Sequence, residues 1–220
     1  MKYMLFASRF AILVAFLCGT HSTCALAVSE ADLAPLVEDQ NVEAVETLGA
    51  DAMPVLVRLY QNSEIAKRTK IAAIFYGLGW KSEEAKAALM KDIKTDDSAL
   101  RLQVQWALGR VSSDDEVVTQ LLGNMRNDPN PLFRDKAACA LANDQIHLTE
   151  KQKAKLYEGV IAALADEKDD VRHIAGLVMQ IQTGQTKGYD SNGPPEARAA
   201  SILAWEKWLE EFKSASAHDK

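Results

Sequence analysis

Residues 98–111, SALRLQVQWALGRV, decide the fold, because three other stretches repeat their pattern: IAKRTKIAAIFYGL at 65–78, PLFRDKAACALAND at 131–144 and DDVRHIAGLVMQIQ at 169–182. Aligned on Arg68, Arg101, Arg134 and Arg172, the stretches recur at intervals of 33, 33 and 38 residues. Three residues after each arginine stands Ile71, Val104, Ala137 or Ala175, and seven after it Phe75, Leu108, Leu141 or Met179. That spacing draws one apolar stripe down each segment if it is a helix. A unit this small cannot bury its stripe alone, so neighbouring units must stack into a continuous core. The interval is that of a stacked helix-pair array. The expected fold is therefore all-α: a right-handed α-solenoid of antiparallel helix pairs.

Each arginine segment reads as the second helix of a pair. The first helices are expected at 52–61, 82–93, 114–126 and 150–165, joined to the second by the polar turns QNSE, KTDDS, NDPNP and DEKDD. Ser82 and Asp114 stand where a side-chain oxygen can accept from free backbone donors at a helix start. Pro129 and Pro131 forbid helix continuation and force a corner. Upstream, 30–38 and 42–48 read as a shorter pair capping the stack. Downstream, the glycine- and proline-rich stretch 184–194 leads into a last helix at 195–212, where Ile202, Trp205, Leu209 and Phe212 share a face. The organisation is a leader at 1–27, capping helices at 28–50, four pairs at 51–183, a loop and capping helix at 184–212, and a flexible tail at 213–220.

The leader assignment rests on Lys2 and Arg9, the short apolar run Phe10–Leu17 and the small–x–small sequence Ala25-Leu26-Ala27. These are the parts of a secretory signal, with cleavage expected after Ala27 and a periplasmic or secreted product. Leu17 and Thr23 precede Cys18 and Cys24 where a lipobox has a small residue, so lipidation is not expected. Cleavage removes two positive charges and turns the net charge from −6 to −8. An acidic chain lacks the basic face that nucleic acid requires. Only Cys139 remains after cleavage, so no internal disulfide forms and helix packing must hold the fold.

The residues resemble the HEAT and phycobilisome-lyase-type HEAT-like repeat family. The resemblance lies in Leu48-Gly49-Ala50-Asp51-Ala52-Met53-Pro54-Val55-Leu56, with proline in a first helix, and in the aspartate–apolar–arginine cadence of Asp96-Asp97 before Leu100-Arg101 and Asp169-Asp170 before Val171-Arg172. It continues in Ala107-Leu108-Gly109 and spans residues 42–183. The first repeat departs from it, since no acidic pair precedes Lys67-Arg68. The stretch 183–212, with Tyr189-Asp190 and the Trp205/Trp208 pair, is similar to the tail of exported bacterial HEAT-repeat proteins. The family implies a scaffold that binds proteins. Its enzymatic branches leave no trace here: His147, His173 and His218 are followed by Leu, Ile and Asp, so the His-Glu pairs of a di-iron hydroxylase are missing.

No metal-ligand spacing, phosphate loop or nucleophile–base pair stands out, and neither catalysis, cofactor nor metal is expected. The acidic turn at Asp166, Glu167, Asp169 and Asp170 lacks EF-hand spacing. The four arginines recur with the repeat, which points to a structural ladder of ion pairs. Offsets one and five residues after them hold Thr69, Leu102, Asp135 and His173, then Ala73, Trp106, Cys139 and Leu177. These columns are expected to border an inner, concave groove. Its partner-binding residues would be Leu102, Trp106, His173 and Leu177, with Lys70, Tyr76, Gln103 and Lys136 on a polar rim. The expected partner is a protein or peptide, with a small-ligand carrier or lyase-like accessory enzyme using the Trp106 groove as the alternative.

Overall fold

The computed structural model describes residues 28–218, and among these every regular element is an α-helix. The expected leader at 1–27 lies outside the described residues. The helices are α1 (Glu30–Glu38), α2 (Val42–Thr47), α3 (Ala52–Gln61), α4 (Ile65–Leu78), α5 (Glu83–Asp92), α6 (Ser98–Val111), α7 (Asp115–Asn127), α8 (Pro131–Asn143), α9 (Glu150–Ala163), α10 (Asp169–Thr183) and α11 (Pro195–His218). They form an α-solenoid in two layers. Second helices α4, α6, α8 and α10 pack side by side in one layer; α1 and α3, α3 and α5, α7 and α9, and α9 and α11 pack in the other.

Local chemistry sets most helix starts. The Ser29 and Thr149 hydroxyls accept from the backbone N–H of Asp32 and Gln152, whose side chains reach back in reciprocal capping boxes. Ser82 accepts from Ala85 at 3.1 Å and Asp97 from Leu100 at 2.8 Å. Asn130 caps α8, with Pro131 in its first turn, where no backbone donor is needed. Asp114 makes no such bond; its carboxylate pairs instead with Lys86 on α5. Gly79 and Gly184 stop α4 and α10 at φ 61° and 70°, a left-handed turn that costs glycine nothing.

The core is one continuous apolar cluster running from Leu33 to Leu209. The stripe residues Ile71, Phe75, Val104, Leu108, Ala137, Leu141, Ala175 and Met179 are all fully buried. At the C-terminal end α11 lies on α9, burying Trp205 and Leu209. Tyr157 of α9 meets Trp208 and Phe212 edge-on, each at 5.2 Å, and Trp205 meets Trp208 at 5.4 Å. The last helix runs to His218, six residues past the expected stop at Phe212, so residues 213–218 are helical rather than a loose tail. Ser214 and Ser216 donate hydrogen bonds to the carbonyls of Glu210 and Phe212, one turn back along this stretch.

Candidate partner-binding face and the charged rows beside it

Two rows of polar side chains cross the second-helix layer, one at each end of its helices. The row at the turn end starts from the repeating arginines. Arg68 Nη1 donates to both carboxylate oxygens of Asp92 at 2.8 and 2.9 Å, and Tyr60 donates to the same carboxylate at 2.7 Å. Arg101 pairs with Asp128, and its guanidinium lies 4.2 Å over the Phe133 ring. Arg134 pairs with Asp170 and donates to the Asp128 carbonyl at 2.7 Å. Among the described residues Arg172 meets no carboxylate. It donates to the carbonyls of Asp166 and Glu167 in its own turn, at 3.0 and 2.9 Å, and to that of Ser191 at 3.3 Å.

Each of the first three arginines thus reaches an aspartate of the following pair. Side-chain exposure is only 12% for Arg101 and 3% for Asp128, so water screens little of their attraction. The Arg134 guanidinium holds the Asp170 carboxyl below the usual carboxylate range. Within the acidic turn, Asp166 is bound by Arg126 at 3.1 Å and Asp170 by Arg134, so two of its four carboxylates are matched by protein cations.

Sequence reading missed the row at the other end. Arg110 Nε donates to the Tyr76 carbonyl at 2.6 Å, and its guanidinium stacks 4.7 Å over the Tyr76 ring. Asp144 lies beside both groups and is 4% exposed. Burial pushes its carboxyl up to about 6, against the opposing pull of the Arg110 charge and the Tyr76 hydroxyl. His147 Nε2 lies 2.8 Å from the Gly79 carbonyl and 2.9 Å from that of Arg110. Two acceptors at that nitrogen mean it carries the ring proton. The signal was present as Tyr76, Arg110 and Asp144 at intervals of 34, but three different residue types hide a repeat that four arginines advertise.

Between the rows lies the face on which partner-binding residues were expected. Leu102, Gln103 and Trp106 are half-buried, while Leu177 is 43% exposed and His173 is exposed. Trp106 does not stand free: its ring packs against Tyr76 of α4, centroids 6.2 Å apart. Tyr76 therefore supports Trp106 and Arg110 rather than offering its ring to a rim. Lys70 turns away toward α1, with Nζ 2.6 Å from the Glu38 carboxylate, and Lys136 pairs with its neighbour Asp135 at 2.9 Å. The structure adds Ile181, one turn beyond Leu177 on α10 and 55% exposed. Burial pushes the Cys139 thiol up, which disfavours the thiolate.

His173 and Leu177 also meet the glycine-rich loop, joining two regions that the sequence kept apart. They line a cavity of about 240 Å³ with Tyr189, Asp190, Ser191 and Trp205. The loop is fixed by Tyr189, whose hydroxyl donates to the Leu164 carbonyl at 2.5 Å, and by Arg198, which donates to the Gly193 carbonyl at 2.6 Å. Asp190 accepts from the backbone of Asn192 within its own turn.

Comparison with known families finds that residues 55–142 match HEAT repeats. No curated protein matches the chain. No group of three or more His, Cys, Asp or Glu side chains is placed to hold a metal ion, and no helix is long and apolar enough to cross a membrane, among the described residues.

Proposed function

The chain carries HEAT repeats, helix pairs that generally scaffold protein–protein interactions, and from that premise we propose that it is an exported, non-enzymatic scaffold whose second-helix face docks a protein partner. The supporting observation is a set of apolar side chains left partly or largely exposed on the second helices: Leu102 and Trp106 on α6, and Leu177 and Ile181 on α10. Aromatic and aliphatic anchors held in place by neighbours are what an interface core uses. Tyr76 holds Trp106 from behind, so the ring needs little ordering when a partner covers it. The acidic net charge supports a protein partner over nucleic acid.

The test compares Trp106→Ala with wild type for partner capture and thermal stability. Binding should weaken at least tenfold with Tm lowered by only a few degrees, as suits a half-buried ring. Unfolding of this variant would make Trp106 a core residue and remove the assignment. Export is tested by mass spectrometry of the mature N-terminus. Val28 should come first, whereas a diacylglyceryl group on Cys18 or Cys24 would place the protein on a membrane instead.

A further inference from the structure

Among the described residues, one glycine inside a helix has neither a close neighbour nor a positive φ to account for it. Glycine in the middle of a helix costs about 1 kcal/mol relative to alanine, so the position normally repays it through close approach. A Cβ at Gly77 would sit 2.7 Å from Val42, at Gly109 2.3 Å from Gln145, at Gly159 2.3 Å from Leu122, and at Gly176 3.2 Å from Tyr189. Gly123, in the interior of α7, has nothing within 4 Å of its hypothetical Cβ. It faces a cleft of about 600 Å³ between α7 and the α5–α6 turn, where the first helices α5 and α7 hardly touch. That volume is in the range of small-ligand sites.

Polar side chains line the cleft in order along α7. Glu116 stands at one end, Gln120 and Asn124 flank the bare Gly123 backbone, and Lys94 and Arg101 close the end beside Asp128. Gln120 donates to Asn124 at 3.0 Å, and Asn124 donates to the buried Gln105 at 3.2 Å, so the amides are held in fixed orientation. Arg101 Nε is buried without a hydrogen-bond partner. Neither Lys94 nor Glu116 is engaged in an ion pair among the described residues.

We propose that this cleft binds a short extended peptide ending in a free carboxylate, separately from the second-helix face. The carboxylate lies toward Lys94, the cation at that end whose charge Asp128 does not already match, the peptide amides pair with Gln120, and Gly123 lets the ligand backbone lie flush on the helix. An ammonium group or a basic residue faces Glu116. From Glu116 to Asn127 the helix rises about 16 Å, the length of about five extended residues.

The probe is tetra-alanine, titrated into the full chain and followed by amide NMR shifts. Saturable shifts should centre on Gln120, Gly123 and Asn124. Amidating the peptide's C-terminus, or Lys94→Ala, should each weaken binding about tenfold, the effect of losing one charged hydrogen bond. Gly123→Leu should abolish the shifts without lowering Tm, because its side chain enters open space and helix propensity improves. The N-acetyl peptide separates two sources of the same chemistry. Equal binding marks the tail of a longer chain, and binding weakened several-fold marks a free peptide; either supports the site. No shift at millimolar peptide, binding indifferent to amidation, undiminished binding by Gly123→Leu, or shifts with maltotriose in place of tetra-alanine would each overturn it.

Discussion

Along the second-helix layer, α4, α6, α8 and α10 lie in unbroken contact, whereas the first-helix layer parts between α5 and α7. The difference follows from what each layer presents to its neighbour. Small residues such as Ala107, Ala137, Ala140 and Ala175 let the second helices approach closely. On the first-helix side, Tyr60 reaches across from α3 to Asp92 at the end of α5, and Leu122 of α7 nests against Gly159 of α9. At the α5–α7 junction the facing surface of α7 is Glu116, Thr119, Gln120, Gly123 and Asn127, with no large apolar group to bridge the gap. One layer therefore carries the continuity of the array, and the other is free to open.

The strongest way to break this contrast is at the far end of the first-helix layer, where α11 closes on α9. Trp205→Ala removes a fully buried ring that contacts Trp208, and should cost about 3–5 kcal/mol in urea unfolding. A loss under 1 kcal/mol would mean that α11 is an appendage and that the layer ends at α9.

Beside the α5–α7 gap the adjoining repeats are tied by the buried pair of Arg101 on α6 and Asp128 at the end of α7, and Asp128→Ala probes that tie. Removing one member of a buried pair leaves its partner uncompensated, at a cost of about 3 kcal/mol. The same substitution in an exposed pair, Lys155 with Asp115, should cost less than about 1 kcal/mol, and equal losses would show that burial is irrelevant here.

The smallest effect sharpens the account of the intact layer and concerns pH. Asp144 holds its proton to about 6 in the folded protein, above the ordinary value of 3.8. The folded state thus binds more protons than the unfolded state between those values, and this group's contribution to stability falls as pH rises through that window. Asp144→Asn keeps the shape and removes the buried charge. Its Tm should exceed that of wild type at pH 8 by a few degrees, and the advantage should shrink as pH falls toward 4. A constant difference across that range would show that Asp144 titrates normally.

Much of this architecture was legible in the sequence because the repeat stamps one physical demand on each unit. The second helices start and stop within a residue or two of the recurring segments, since an apolar stripe and a polar turn coincide at each and Asp97 and Asn130 cap α6 and α8. The arginine partners were not legible. Asp92 closes a first helix, Asp128 caps one and Asp170 opens a second helix, so the pairs share an environment without sharing a spacing. Trp106 stood out as a bulky residue in an outward column, but its support comes from Tyr76, thirty residues earlier, which only stacking brings beneath it. Lys70 read as a rim residue because its offset points outward; the reach of its side chain to α1 depends on how the capping pair sits. The polar cleft escaped notice because nothing in a sequence marks a place where two neighbours fail to meet.

The last arginine of the row closes on its own chain. Arg68, Arg101 and Arg134 each take an aspartate from the following unit, and a further unit at the C-terminus would be asked to supply one for Arg172. That demand is already met from within, by the Asp166, Glu167 and Ser191 carbonyls, while α11 lies over the flank of α9. Because its guanidinium donates to the Ser191 carbonyl as well as to its own turn, the final rung anchors the glycine-rich loop to the stack where the earlier rungs join one repeat to the next.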